Sequence, residues 1–389
     1  MTAPLEGITV LDFTSYIAGP FCPTLLADMG ANVIKIEAHS GDPTREFPSN
    51  LPGGSRTFEG VNRNKKGLCL DLKHPAGQEI VYRLVQQADV VVENFRPGIA
   101  ERLGIGYADL RQRQPRLIYC AVSGYGTAGP LSGKPGFDQV LQTMTGITTA
   151  QGRSLGRPQV VAGSIVDYFA AMLATYGVML ALFVRERTGL GQRVDTSLLA
   201  AALTMQAGRF VASEHEAPDA ERDLDTGISG LYACQGGYVY ISAHVQKFWV
   251  ALCQTLGLPE LAHDTRYDTM RKRSARTQEL RQQFEAIFCT KPADTWSELL
   301  EEAGVPSAKA NPIHAMFTHP QVLANHLVEA VKHPELGQLA LVGIPITLSA
   351  TPGRVHSAAP TLGQHAEEIL QSLGYTAPEI ATFRNAKVI

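Results

Sequence analysis

The stretch Ile8–Glu37, ITVLDFTSYIAGPFCPTLLADMGANVIKIE, decides the fold class. Its ends, Ile8–Phe13 (ITVLDF) and Val33–Glu37 (VIKIE), are short apolar runs that read as strands. Between them, Thr14–Pro20 (TSYIAGP) is a loop punctuated by glycine and proline, and Phe21–Met29 is a helix stopped by Gly30. A strand, a helix and a strand at this spacing make a β-α-β unit, whose strands run parallel with the helix as crossover.

The pattern continues downstream. Leu68–Leu72 reads as a strand and Pro75–Gln87 as an amphipathic helix with proline in its first turn. Val90–Glu93 and Leu117–Ser123 are further strands. This alternation predicts an α/β domain with a mostly parallel sheet. Gly124–Gly129 (GYGTAG) matches G-x-G-x-x-G after a strand, but Pro130, Gly133, Pro135 and Gly136 prevent the helix that must present its N-terminus to a pyrophosphate. We therefore exclude a dinucleotide site. No Walker-type phosphate loop and no H-E-x-x-H metal motif occurs.

Ala162–Val184 (AGSIVDYFAAMLATYGVMLALFV) carries one charge, Asp167, and the next is Arg185. The uncharged run Tyr168–Val184 is shorter than the ~20 residues of a spanning helix, so a core or interface helix is expected. Asp167 admits two readings. Ser164-Ile165-Val166-Asp167 is a variant of the capping box, and an acidic group suits the positive end of the helix dipole. Alternatively the carboxylate is a nucleophile: with an ordinary pKa near ~3.9 it is ionised at neutral pH without a general base.

Beyond that helix, Val184–Asp195 reads as a turn leading to a strand and Thr196–Phe210 as a helix. The polar segment 212–224 is a linker. Ile228–Ala243 looks like a hairpin turning at Gly236-Gly237, followed by helices at Gln246–Leu256, Ser274–Phe288 and Pro292–Ala303. We read residues 225–312 as a small α+β domain, 313–326 as a second linker, and 1–211 with 327–389 as the large domain. Gly337–Leu348 reads as strands and Gly363–Leu373 as the final helix.

The 389 residues are 44% hydrophobic and 18% charged, with a formal net charge of −3. Nothing in this balance points to nucleic acid or a membrane surface. The six cysteines are scattered without a close pair, and the N-terminus shows no signal peptide, which together predict a reducing cytoplasm. The six histidines from His314 to His365 show no i, i+4 pair, so no metal site is assigned. Arg63, Lys65, Lys66 and Lys73 either hold a phosphate-bearing ligand or form a solvated face. Asn94, Phe95 and Arg96 stand at the carboxyl end of a strand, the edge where open α/β sheets bind ligands.

Taken together, LDFTSYIAGPF, LADMGANVIKIE, GDPTR, NRNKKGLCLDLKHPAG, ADVVVENFRPGIAERLG, SGYGTAGP, PGFDQV, TGLGQRVD, AGVP and GQHAEEILQSLGY resemble the class III CoA-transferases, such as formyl-CoA transferase and the carnitine CoA-transferases. The resemblance runs along nearly the whole chain. It implies a Rossmann-like large domain built from both chain ends, an inserted smaller α+β domain, and an interlocked homodimer. It implies CoA transfer from an acyl-CoA donor to an organic acid, with acyl-CoA as substrate and no tightly bound cofactor. Asp167 falls where the family carries its nucleophilic aspartate. The CoA contacts carried over are Tyr16, Ile17 and Ala18; Leu70, Asp71, Leu72 and Lys73; Asn94, Phe95 and Arg96; Arg102; and Lys134. Gly236 and Gly237 correspond to a substrate loop that is richer in glycine in formyl-CoA transferase, which makes formate–oxalate exchange an unsuitable reading. Ala38 stands where that enzyme has an arginine near the adenine.

Two alternatives compete. The related α-methylacyl-CoA racemases use a histidine that directly precedes an aspartate. Here Phe137 precedes Asp138, and phenylalanine cannot shuttle a proton, which leaves Asp138 a structural role. A non-catalytic acyl-CoA-binding protein is the second alternative; the presence of Asp167 argues against it.

Overall fold

The computed structural model describes residues 3–217 and 227–389, so residues 218–224 of the expected linker lie outside the described residues. The chain divides into two compact units, Met1–Val211 with Gln321–Ile389, and Ala212–Pro320.

The first unit is built on six strands: β1 (Thr9–Asp12), β2 (Asn32–Glu37), β3 (Lys65–Cys69), β4 (Val90–Glu93), β5 (Ile118–Ser123) and β6 (Arg193–Ser197). All neighbours pair in parallel, in the order β3-β2-β1-β4-β5-β6. This is the strand order of a dinucleotide-type Rossmann sheet, and chain direction across the sheet reverses between β1 and β4. Val10 pairs with Val33 on one side and Val90 on the other; Leu11 pairs with Ile34 and Val91. Val10, Val33 and Val90 face the helices Ala18–Asp28 and Ile165–Thr188, whereas Leu11, Ile34 and Val91 face Pro75–Gln86 and the C-terminal helices. Both faces are covered, which is why these strands read as continuous apolar runs.

The helix Ile165–Thr188 buries Ala170, Ala171, Ala174, Val178, Ala181 and Leu182. Four alanines let it lie close to the sheet. Its other face leaves Met172, Tyr176, Met179, Leu180 and Phe183 exposed, with Tyr176 64% and Phe183 56% accessible. The helix is long and apolar enough to cross a membrane by length and composition alone.

Several expectations change, among them the following. β3 starts at Lys65 rather than Leu68, because Lys65 is buried with partners and extends the strand. The long helix runs through Val184–Thr188, which reads as turn in the sequence; Arg185 is buried and bonds Asp89 at 2.8 Å, and Gly189 ends the helix at φ 75°. Gly363–Leu373 does not hold the last helix. Ala377–Asn385 follows it, opened by a Thr376/Glu379 capping box.

The second unit has an antiparallel sheet, β7 (Gly230–Cys234), β8 (Gly237–Ile241) and β9 (Ser307–Lys309). The helices Gln246–Thr255, Thr277–Phe288 and Ala293–Glu302 pack on it around Tyr232, Trp249, Phe284, Phe288 and Trp296. An antiparallel pair, β10 (Val328–His333) and β11 (Gly337–Val342), belongs to the first unit.

Candidate active site

At the carboxyl ends of β1, β4 and β5, beside the reversal in strand order, lies a cavity of about 450 Å³. β1 delivers Ser15, Tyr16, Ile17 and Ala18; β4 delivers Asn94, Phe95 and Arg96; β5 delivers Ser123 and Gly124. Lys134, Phe137 and Asp138 come from the glycine-rich loop and the helix after it, Phe47 from the loop after β2, and Asp167 from the first turn of the long helix. Eight residues singled out from sequence, Tyr16, Ile17, Ala18, Asn94, Phe95, Arg96, Lys134 and Asp167, thus line one cavity.

The others lie elsewhere. Leu70, Asp71, Leu72 and Lys73 follow β3 and do not line the cavity; the Leu70 N–H donates to the Glu37 carbonyl and the Asp71 N–H to the Val388 carbonyl. Arg102 is exposed at the end of the short helix Ile99–Arg102. Gly236 and Gly237 sit at the β7–β8 turn of the second unit, where Gly236 takes φ 72°.

Two loops that shape the cavity are bolted together. The Asn94 Oδ1 accepts from the Ser15 N–H at 2.9 Å, and its Nδ2 donates to the Ser15 carbonyl at 2.8 Å. A Cβ at Gly19 would fall 2.5 Å from the Thr14 Cβ and 2.8 Å from the Asn94 Cγ, so only glycine permits this approach.

The capping reading of Asp167 does not hold. Ser164 is left-handed, with φ 53°, and its side chain makes no cap bond. The carboxylate of Asp138 does the capping: its Oδ2 accepts from the Val166 N–H at 2.6 Å and the Asp167 N–H at 3.1 Å, while Oδ1 accepts from Gln142 Nε2 at 2.5 Å. Asp167 is relieved of the structural task its position suggests. Burial and then the neighbouring Asp138 charge push its pKa up to about 7, and among the described residues no hydrogen bond or cation offsets this. Its pKa thus lies near neutral pH, where its ordinary value implies full ionisation.

Most of the cluster Arg63, Lys65 and Lys66 is neither a phosphate site nor a solvated face. Arg63 is buried against Asp28, with Nη2 to Oδ2 at 2.7 Å, and donates to the Val342 carbonyl. Buried Lys65 reaches Asp12 Oδ2 at 2.8 Å, the Pro20 carbonyl at 2.7 Å and Asn62 Oδ1 at 2.8 Å. Burial pulls its pKa down to about 8 against the pull of Asp12. Burial acts to raise Asp12, but the Lys65 and Lys35 ammonium groups outweigh it and hold it below its ordinary value. Lys66 pairs with Glu368 at 2.6 Å. Lys73 alone of the four is exposed and makes no ion pair among the described residues.

Sequence reasoning missed the aromatic character of the mouth. Tyr16 lies 5.6 Å from Phe137, edge to face, and 6.3 Å from Phe47, ring centre to ring centre. No local pattern marks Phe47; only its exposure beside the Tyr16 ring reveals it.

The chain matches the CoA-transferase family III profile over residues 5–366. It is 35% identical over 396 residues to the succinyl-CoA–D-citramalate CoA-transferase of Chloroflexus aurantiacus, covering 99% of this chain and 98% of that one. It is 34% identical over 380 residues to the succinyl-CoA:glutarate CoA-transferase of Mus musculus, covering 95% and 86%. Its fold is similar to that of Rv3272 from Mycobacterium tuberculosis, with a TM-score of 0.84, 33% identity, and 95% and 99% coverage. A CAIB/BAIF family protein from Brucella suis is equally similar in fold, with a TM-score of 0.84, 29% identity, and 96% and 100% coverage. Similarity of this extent, in sequence and in fold, makes the chain a member of CoA-transferase family III and a class III CoA-transferase.

Proposed function

We propose that the protein moves CoA from an acyl-CoA to a carboxylic acid through covalent intermediates on Asp167. The Asp167 carboxylate attacks the thioester carbonyl carbon; the C–S bond breaks, giving a mixed anhydride and CoA thiolate. The thiolate attacks the aspartyl carbonyl, the donor acid leaves as carboxylate, and an aspartyl-CoA thioester remains. The acceptor carboxylate attacks that thioester, expelling thiolate, which attacks the acceptor's acyl carbonyl and frees Asp167. The acyl activation is passed on at each step, so no ATP is consumed. The observation that carries this reading is a carboxylate at the cavity wall whose structural duty another residue performs. Its raised pKa supports it too, since the ionised form is then more basic and a stronger nucleophile.

CoA binds as a substrate and not as a resident cofactor. Tyr16, Ile17, Ala18, Asn94 and Phe95 flank the pantetheine arm, and the exposed cations Arg96, Lys134, Lys73 and Arg102 serve the phosphates. We assign succinyl-CoA as donor and a small organic acid as acceptor, in keeping with the succinyl-CoA-dependent relatives. Six free cysteines support a reducing, cytoplasmic setting. The test is to incubate the protein with succinyl-CoA and a panel of acids, quench with hydroxylamine, and map adducts by mass spectrometry. A hydroxamate on Asp167 is expected; brisk transfer with no adduct there ends the proposal.

The active form of Asp167 is ionised, so kcat/KM rises with pH through an acid limb near 7 and levels above it. A limb near pH 4 contradicts this.

We also propose a homodimer, in which a second copy covers the exposed face Met172–Tyr176–Met179–Leu180–Phe183. Light scattering should give twice the mass of the 42.0 kDa chain, and Tyr176→Asp with Phe183→Asp should give monomers. A monomeric wild type at micromolar concentration overturns this.

A further inference from the structure

The motif Gly41-Asp42-Pro43-Thr44-Arg45 takes no part in the chemistry above, and Asp42 lines no part of the cavity. We propose that Asp42 is a positioning residue that fixes Tyr16, and so the shape of the acyl-CoA cavity.

Tyr16 has φ 69°, a left-handed conformation that a side chain with a Cβ adopts at a cost. The bond that holds it comes from Asp42, whose Oδ1 accepts from the Tyr16 N–H at 3.2 Å. The same oxygen accepts from the Thr44 N–H at 2.9 Å and the Thr44 hydroxyl at 2.7 Å. Oδ2 pairs with Lys35 Nζ at 3.0 Å, both side chains wholly buried. Lys35 also donates to the Thr14 carbonyl at 2.9 Å, two residues before Tyr16. Asp42 is itself held, its N–H donating to Glu37 Oε1 at 2.9 Å, and Glu37 is clamped by Arg45 at 2.8 and 2.7 Å. Within the motif Asp42 thus makes the direct bond to the loop Thr14–Tyr16, while Thr44 bonds Asp42 and Arg45 braces Glu37 behind it. Phe47, against which the Tyr16 ring rests, leaves the same motif two residues later.

This inference rests on the CoA-transferase reading of the cavity, and the test separates the two. Removing Asp42 alone strands a buried ammonium and endangers folding. Two double variants avoid this: Lys35→Met/Asp42→Asn keeps an acceptor for the Tyr16 N–H, and Lys35→Met/Asp42→Ala does not. Both lack the ion pair, so a purely structural role lowers thermal stability and activity alike in both. Positioning instead predicts a split. The alanine variant has a KM for succinyl-CoA at least tenfold above the asparagine variant, with kcat within about threefold, and the Tyr16 amide exchanges faster with solvent deuterium. Equal KM and equal exchange in the two variants overturn the inference. Binding of free CoA by the wild-type protein, measured calorimetrically, is the control: its absence sinks the functional reading instead.

Discussion

Asp167→Ala is expected to abolish CoA transfer, lowering kcat by about 10⁴-fold or more, while the affinity for CoA stays within about threefold of wild type. In the proposed mechanism the side chain forms the bond itself, and the other carboxylate lining the cavity among the described residues, Asp138, is engaged in hydrogen bonds at both oxygens. The same variant is expected to unfold at a higher temperature. The folded protein holds this carboxyl at about 7, against ~3.9 in the unfolded chain. Because the folded pKa is the higher one, ionising the group costs stability as pH rises from about 4 to 7, and the full cost is present above that window. The gain from alanine is therefore larger at pH 8 than at pH 5, as thermal melts at the two values will show. Undiminished turnover in the variant would falsify the nucleophile assignment.

Asp138→Ala is expected to lower kcat roughly a hundredfold, although the residue performs no step of the reaction. Without it the N–H groups of Val166 and Asp167 lose their acceptor, and the first helical turn that aims the Asp167 side chain relaxes. A misplacement of about 1 Å at a reacting atom costs on the order of 10²-fold. Asp138→Asn keeps a carbonyl oxygen for capping but removes the charge. It should retain most of the activity and move the acid limb below pH 7. The limb should stay above that of an ordinary aspartate, because burial, the larger cause of the shift, persists. A pH–rate profile of the three proteins separates the two roles of Asp138. Identical limbs in wild type and Asp138→Asn exclude the electrostatic one.

Much of the large unit was readable in the chain because its strands are covered on both faces, and their apolar runs are bounded by glycine and proline. What the sequence hid was charge put to structural use. Lys65 at the head of β3 looks like a solvated cation, and only Asp12, 53 residues earlier, shows why it is buried. Asp138 caps a helix that starts 27 residues later, beyond the reach of any local capping rule. Ser164 had the right residue type for a cap and the wrong backbone. The last helix is a different case: Thr376-Ala-Pro-Glu379 is a local capping signal with proline in the first turn, and it was there to be read. Six of the candidate site residues converge because they follow the ends of β1 and β4 at one crevice, and Lys134 and Asp167 join them from the glycine-rich loop and the long helix. The segment Leu70–Lys73 follows β3, which lies two strands away from that crevice.

The edge of the sheet at β3 is completed from far along the chain. Asn64 holds the backbone of His356 and Ser357, Gly67 exchanges bonds with His365, and the Asp71 N–H meets the Val388 carbonyl. During synthesis, the first 70 residues therefore leave the ribosome with one border of their sheet unmatched. They must wait for some 300 more residues, the whole second unit among them, before it is sealed. Nascent chains stalled short of the C-terminal helices should be the ones most in need of chaperones.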